Sequence, residues 1–399
     1  MPVTKPGYFP ILDCLRFLAS VCVFLAHSVV FFDLPVTGLY FNDFIKDAGY
    51  FGVIFFYTLS GFLITYLLLK EKRDTSTIAI KDFYIRRALR IWPLYYLIVF
   101  LSFFVFPYLV QGHLTGSIED RKGPFLLYLL FLPNVAALRG FYFSTCFHTY
   151  TIGYEEQFYL FWPLVLRKAG QYFAIVLIGL FFLPPALEII HLRIVAHGLP
   201  LPDKIAHGVR SILSFINYSN MPAFIAGAMA AFCYLAGGEK VLTLAGKKIW
   251  GWLLTAATLG LMYFTKPGGL GYVNGISLIF AFLILHMVLS KDGAGKTGAV
   301  PSLRRSMGGL LAKGGKISYG IYIFHPTAFI FVSYCMNKGH IVFVSSSLLT
   351  YLVFLVFSFA LLLLMAAVSF RYFEQYFLRK KINYQDNLLR RTGRLKKSR

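Results

Sequence analysis

Long apolar runs recur along the whole chain and constrain its fold more than any other feature. In lipid, every backbone polar group must be satisfied internally, and a helix does this within one segment. About 20 apolar residues are enough to cross a hydrocarbon core roughly 30 Å thick. The sequence therefore predicts an all-α polytopic membrane protein. The runs lie at about 10–32, 49–69, 91–111, 171–190, 216–236, 248–265, 270–290, 317–338 and 343–370, with shorter candidates near 124–138 and 153–167.

Basic residues are concentrated in short segments beside these runs. The formal net charge is +22, yet only 14% of the residues are charged. Segments 70–90, 291–316 and 371–399 hold 23 of the 39 lysines and arginines. Basic loops next to membrane helices face the cytoplasm under the positive-inside rule. No basic soluble domain with interleaved aromatic residues accompanies them, so we expect the lipid bilayer as a partner and no nucleic acid.

The loop charges favour ten spans over eleven. With the N-terminus inside, the acidic loop 33–47 lies outside and the basic loop 70–90 lies inside. Treating 124–138 as one short re-entrant or interfacial segment then places all later basic loops inside. We expect about 10 transmembrane helices with both termini cytoplasmic. We also expect a membrane domain over 1–378 and a basic cytoplasmic tail over 379–399.

The first run places two ionisable side chains on one helical face. Arg16 and His27 are 11 residues apart in RFLASVCVFLAH, about 16 Å along a helix and about 20° beyond three full turns. Asp13 lies three residues before Arg16, on a neighbouring part of that face. Ionisable residues inside membranes usually face a polar cavity. The alternative is a buried Arg16–Asp13 pair with a histidine bonded to the backbone, but the aligned pair favours a functional role.

Two further clusters are candidates for chemistry. Arg86, Arg87 and Arg90 lie close together on one helical surface, where arginine forks suit phosphate groups. This cluster either holds an anionic cofactor or meets lipid phosphates and sets topology. Glu155 and Glu156 enter the aromatic helix TIGYEEQFYLFWP, where a carboxylate orients a histidine or a substrate hydroxyl, or is a helix N-terminal charge at the interface.

Four other side chains join the candidates without a settled role. Ser60 sits in a Ser-Gly pair that allows close helix packing. Tyr159 follows the two glutamates one turn later, and His148 precedes them. His325 comes just before a proline, where packing and a site role are both consistent with the sequence. No metal-binding spacing, nucleophile elbow or phosphate-binding loop is present, so we expect no metal.

Six phrases, in this order, resemble the acyltransferase type 3 family of bacterial membrane proteins, which O-acylate surface polysaccharides. They are LDCLRFLASVCVFLAH, GYFGVIFFYTLSGFLIT, FYIRRALRIWPLYYL, YTIGYEEQFYLFWPLVL, SYGIYIFHP and SFRYFEQYFLR. The resemblance implies a multi-pass protein of the bacterial inner membrane. It also implies acyl-CoA, usually acetyl-CoA, as donor substrate, no permanently bound cofactor, and a carbohydrate or glycolipid acceptor.

The resemblance assigns roles to the candidate residues. It carries Arg16 and His27 onto the family's paired positions, and Arg87 and Arg90 onto its arginine pair. It places Glu155 or Glu156 at the family's glutamate. On this basis we expect the three loop arginines and Arg16 to bind the donor. His27, oriented by one of the glutamates, would deprotonate a sugar hydroxyl or carry the acyl group itself. A polysaccharide or lipid transporter is the alternative function.

Overall fold

A computed structural model describes residues 9–32, 39–109, 122–141, 145–196, 203–264, 271–289, 309, 311–338 and 348–391. These residues form helices and short turns, with no strand among them. They divide into two compact units. The first unit is Met1–Asp33, Thr37–Ile78 and Tyr154–Lys316, and the second is Leu34–Val36, Ala79–Gly153 and Ile317–Arg399.

Sixteen α-helices with assigned bounds lie within the described residues, and two π-helical and two 3-10 turns adjoin them. The π turns are Leu101–Val105 and Phe370–Glu374, and the 3-10 turns are Phe147–Thr149 and Gly170–Tyr172. In chain order the α-helices are α1 (Pro10–Phe32), α2 (Leu39–Thr75), α3 (Ile80–Phe100), α4 (Phe106–Leu109), α5 (Lys122–Leu129), α6 (Pro133–Leu138), α7 (Tyr150–Ala169), α8 (Phe173–Ala196), α9 (Asp203–Tyr218), α10 (Met221–Ala236), α11 (Glu239–Ala245), α12 (Lys248–Phe264), α13 (Tyr272–Leu289), α14 (Ser318–Lys338), α15 (Leu348–Ser369) and α16 (Gln375–Arg391).

Seven stretches of the described chain are long and apolar enough to cross a bilayer, so this is a multi-pass helical protein. They are Pro10–Phe31, Asp43–Thr75, Ile80–Leu109, Phe147–Arg193, Tyr272–Leu289, Ser318–Met336 and Leu348–Ile382. Two of the expected spans are shorter than this, because α10 has 16 residues and α12 has 17.

The segment 124–138 is a broken helix rather than a continuous span. Helix α5 has eight residues and α6 has six, about 12 Å and 9 Å of helix, far below the bilayer thickness. Phe131, in the break, has a left-handed φ of 56°. Two tyrosines of α3 hold the end of α5: Tyr95 Oη donates to the Tyr128 carbonyl at 2.8 Å and Tyr96 Oη to that of Leu129 at 2.9 Å.

Two glycines bring α2 and α10 into direct backbone contact in the first unit. A Cβ on Gly61 would overlap the Phe224 carbonyl, and a Cβ on Gly227 would overlap that of Thr58. Small residues let membrane helices approach this closely, so that packing and short polar contacts hold them together. The Phe224 ring also stacks on Tyr57, with centroids 4.4 Å apart.

The second unit joins α3 to the C-terminal helices through tyrosine hydroxyls. Tyr319 on α14 donates to the Ile91 carbonyl at 3.0 Å, and Tyr384 on α16 donates to Asp82. Helix α16 runs without a break across residues 378 and 379, the boundary at which we expected the tail to begin. At least the first part of that basic tail therefore continues a helix that packs on α3.

Gly61→Ala should destabilise the protein because the added methyl group meets backbone that cannot rotate away. Overpacking of this kind costs about 1–3 kcal/mol or more, and we expect a lower thermal unfolding midpoint in detergent. Gly260→Ala is the matched control, since Gly260 faces open space on α12. There alanine should leave the midpoint unchanged or raise it. Equal midpoints for the two variants would contradict the close contact between α2 and α10.

Candidate functional site

Helix α1 carries Arg16 and His27 in the arrangement that the sequence predicts. The helix is unbroken from Pro10 to Phe32, so the two side chains share a face about 16 Å apart. Arg16 Nη1 lies 4.0 Å from Asp13 Oδ1, with the side chains 18% and 15% exposed. This is the Arg16–Asp13 pair expected if Arg16 has a structural role rather than a functional one. It neutralises much of the cost of placing a guanidinium at this depth.

Helices α1 and α2 run antiparallel, and their contacts give the depth of each polar group. A Cβ on Gly49 would overlap that of Ala26, and the rings of Phe9 and Tyr66 lie 5.3 Å apart. Both contacts give the same register, since Tyr66 follows Gly49 by 17 positions and Phe9 precedes Ala26 by 17. Residues 48–50 of α2 therefore lie beside His27. Ser60, 11 positions after Gly49, lies at the depth of Arg16.

Glu155 is held by two hydroxyl groups at this inner depth. Ser60 Oγ and Tyr159 Oη both donate to Glu155 Oε1, and the two hydroxyl oxygens are 3.2 Å apart. Two turns beyond Glu155 along α7, Trp162 Nε1 donates to Thr65 Oγ1 at 2.8 Å. Hydrogen bonds to a charged group are about twice as strong as neutral ones. They stabilise the Glu155 carboxylate and fix α7 against α2 in a parallel register.

The structure does not bring Glu155 to His27. Ser60, which bonds Glu155, lies about 12 helical positions from the depth of His27, or about 18 Å along the α1 axis. Glu156 is the next residue of α7 and lies at a similar depth. The expectation that one of these glutamates orients His27 is therefore wrong, because the register of three helices separates them. The register between helices from distant parts of the chain cannot be predicted from the spacing of residues in the sequence.

The three arginines lie on α3, which starts at Ile80, and Arg87 and Arg90 each have a neighbour that bears on their charge. The Arg87 guanidinium lies 5.6 Å from the centre of the Phe83 ring. Arg90 interacts electrostatically with Glu374, which is only 7% exposed and accepts from Ser369 Oγ at 3.2 Å. Glu374 escaped the sequence analysis, although a lone carboxylate inside SFRYFEQYFLR was a usable signal.

His148 and His325 meet in the second unit, although they are 177 positions apart in the sequence. Their ring centroids are 4.8 Å apart, and both side chains are almost fully buried. His325 Nδ1 lies 2.7 Å from the Tyr322 carbonyl, an oxygen to which Pro326 has no N–H to donate. A carbonyl only accepts, so Nδ1 carries the hydrogen and the lone pair of a neutral ring is on Nε2.

Tyr322 connects this histidine pair to the start of α7. Its hydroxyl group donates to the His148 carbonyl at 3.1 Å and shares a hydrogen bond with Thr151 Oγ1. Sequence reasoning treated His148 and His325 separately and missed Tyr322. Among the described residues, no three histidine, cysteine or acidic side chains are grouped closely enough to hold a metal ion.

Comparison with known proteins identifies the family. The family model Acyl_transf_3, described as an acyltransferase domain, matches residues 9–367. The chain belongs to the acyltransferase 3 family. The match spans both units and five of the six phrases on which the resemblance rests, and it ends two residues before the sixth, SFRYFEQYFLR. It favours acyl-transfer chemistry over the transporter alternative. No solved structure matches the chain.

Three relatives carry O-acetyltransferase names. A candidate O-acetyltransferase of Staphylococcus aureus is 32% identical over 174 residues, 41% of this chain and 25% of that protein. The peptidoglycan O-acetyltransferase OatA of Listeria monocytogenes is 30% identical over 164 residues, 40% of this chain and 24% of its own. A candidate peptidoglycan O-acetyltransferase of Bacillus subtilis is 31% identical over 173 residues, which are 41% of this chain and 24% of that protein. The matched part of this acyltransferase 3 chain is about a quarter of each relative's length.

Cys146 lies two residues before His148 and is the one thiol close to that histidine pair in the described sequence. Burial raises the pKa of the Cys146 thiol to about 12, so the group stays protonated and weakly nucleophilic at neutral and mildly alkaline pH. A single-cysteine variant that keeps Cys146 should react with N-ethylmaleimide at least about 100-fold more slowly at pH 8 than one that keeps the exposed Cys335. Similar rates would show that Cys146 is an accessible nucleophile.

Proposed function

We propose that this chain transfers an acetyl group from cytoplasmic acetyl-CoA to a hydroxyl group of a carbohydrate on the outer side of the membrane. Membership of the acyltransferase 3 family supports acyl transfer, and the names of the relatives support acetyl transfer to a cell-envelope glycan. The acceptor is free or lipid-linked carbohydrate, and the location is the bacterial inner membrane.

The proposed topology has ten crossings with both termini in the cytoplasm. The stretch Phe147–Arg193 has 47 residues, about 70 Å of helix, which is more than twice the hydrocarbon thickness. Gly170, with φ of 53°, starts the turn between α7 and α8, so this stretch supplies two crossings. Helices α10 and α12 supply the remaining two, at about 24 Å and 26 Å each. The basic ends of α2 and α7 then face the cytoplasm.

The observation that carries the proposal is the alignment of Arg16 and His27 on one face of the unbroken helix α1. In this topology α1 runs outward, so Arg16 lies at the donor's side and His27 at the acceptor's side. A guanidinium suits an anionic or carbonyl-rich donor, and an imidazole suits proton transfer from a hydroxyl group.

The reaction balances with these groups alone. His27 removes the hydroxyl proton, the sugar oxygen attacks the thioester carbon, and the carbon–sulfur bond breaks. The proton then passes from His27 to the departing thiolate, which leaves as CoA. In the covalent version a His27 ring nitrogen attacks the thioester carbon, the carbon–sulfur bond breaks and CoA leaves as the thiolate. The sugar hydroxyl then attacks the acetyl carbon, the carbon–nitrogen bond breaks, and the hydroxyl proton passes to the CoA thiolate.

The remaining residues act on the donor in this proposal. Arg86, Arg87 and Arg90 hold its phosphate groups. Glu155 and Glu156 act at the depth of Arg16, where Ser60 and Tyr159 hold the Glu155 carboxylate. They position the donor and do not touch His27.

His27→Ala should abolish acetyl transfer to carbohydrate, with a loss of about 100-fold to 10,000-fold for a missing general base. Membranes supplied with radiolabelled acetyl-CoA give the measurement. Ser28→Ala is the matched control on the next residue, where Ser28 Oγ donates to the Leu25 carbonyl of its own helix at 2.7 Å. Normal transfer by His27→Ala would refute the assignment. A single-turnover burst that leaves label on the protein without acceptor would favour the covalent version.

Arg87→Gln should weaken the binding of acetyl-CoA but not the binding of a short thioester that lacks the phosphate groups. Loss of a charged hydrogen bond costs about 1.5–3 kcal/mol, or roughly 10-fold to 100-fold in KM. S-acetyl-N-acetylcysteamine has the thioester without the phosphate groups, so its KM should stay constant. Arg73→Gln is the control, because Arg73 is 64% exposed at the end of α2. An equal rise for both thioesters would place Arg87 away from the phosphates.

A further inference from the structure

The first unit contains a cavity that none of the roles above uses. Its volume is about 180 Å³, and its polar lining consists of Tyr50, Glu188, Asn220 and Asn274. We propose that this cavity binds one sugar ring of the acceptor and presents its hydroxyl groups at the depth of His27. The inference rests on the proposed function and deepens it, since it assigns the acceptor a place.

Asn220 is fixed by its backbone and by both ends of its amide. It lies between α9 and α10 with a left-handed φ of 47°, a conformation that asparagine tolerates better than most residues. Its Nδ2 donates to the Tyr218 carbonyl at 3.3 Å, and its Oδ1 accepts from Tyr50 Oη at 3.4 Å. A side chain that is only 8% exposed is thus held at the cavity wall in one orientation.

Asn274 is oriented by a proline on the facing helix. Pro185 has no N–H for the Phe181 carbonyl one turn earlier in α8, and Asn274 Nδ2 donates to that carbonyl at 2.8 Å. Because the amide nitrogen is used in this way, the Asn274 Oδ1 is the end left to accept a hydrogen bond. The proline pair of α8 also lines the cavity, which supplies a rigid apolar wall beside the amide.

The cavity lies at the same depth as His27. Tyr50 follows Gly49, which packs directly on Ala26, the neighbour of His27. The register of α1 and α2 therefore places Tyr50 within one helical turn of His27, about 3 Å along the axis. The other walls come from the end of α8 and the starts of α10 and α13. In the proposed topology all of these ends face outward, where the acceptor is.

The lining suits an uncharged sugar ring. Amide, carboxylate and phenol groups bond hydroxyls in both directions, while the prolines offer apolar faces to C–H groups. The volume corresponds to about six water molecules at roughly 30 Å³ each, enough for one ring and too small for an oligosaccharide. Among the described lining residues none is basic, which disfavours the phosphate of a lipid headgroup, since buried anions need a cation or several donors.

The test compares acceptor use with donor binding in the full chain. Membranes that contain native acceptor receive radiolabelled acetyl-CoA, and the initial rate of alkali-labile label entering carbohydrate is measured. Glu188→Gln removes the carboxylate, and Val273→Trp fills the cavity without changing its polar groups. Glu239→Gln, an exposed carboxylate on α11, and Leu278→Trp, 46% exposed on α13, are the matched controls. Purified variants are also assayed for acetyl-CoA binding.

We expect the transfer rate of both cavity variants to fall at least about tenfold. Their affinity for acetyl-CoA should stay within about twofold of that of the unsubstituted chain. The two control variants should keep the full transfer rate. Full transfer by both cavity variants would overturn the cavity as acceptor site and leave the proposed function standing. Loss of acetyl-CoA binding in the cavity variants would also overturn it, by assigning the cavity to the donor. Absence of transfer by the unsubstituted chain would refute the proposed function itself.

Discussion

The depth of every polar group in the first unit depends on the close packing of α2 against its neighbours. Gly61 and Gly227 put α2 and α10 in backbone contact, and Gly49 lets α2 meet α1 at Ala26. At such short distances helices cannot slide past one another without steric overlap. The resulting register places Ser60 and Glu155 with Arg16, and it places Tyr50 with His27. The positions of Ser60 and Tyr50 relative to α1 thus follow from contacts that involve no reactive group, whereas Glu155 is placed by its hydrogen bond to Ser60.

Prolines inside continuous helices provide a second recurring device. Pro326 withholds an N–H from the Tyr322 carbonyl, and His325 takes its place. Pro185 does the same at Phe181, where Asn274 is the substitute donor. Inside a membrane no water is present to donate a hydrogen bond to a backbone carbonyl, so a side chain donates it instead. Each proline thereby fixes the orientation of one polar side chain, and both side chains lie at candidate sites.

Features contained within one helix were predictable. Helical geometry alone puts Arg16 and His27 on one face, and α1 is continuous across both. The break within 124–138 was expected as a short non-spanning segment from loop charges, yet its anchoring by Tyr95 and Tyr96 was not. Contacts between distant segments escaped prediction because hydropathy reports burial and not partners. Glu374, His148 with His325, and the cavity at Asn220 are of this kind.

Composition and periodicity by themselves determined that this chain is a helical membrane protein, and the ordered phrases indicated its family. Both conclusions depend on local features, since the length of an apolar run and the spacing of side chains can be read directly from the sequence. Only the tertiary structure decided which polar groups share a depth. It separated the glutamates from His27 and brought Tyr50, Asn220 and Asn274 around one cavity. The physical reason is that helix register depends on steric fit between surfaces from distant parts of the sequence.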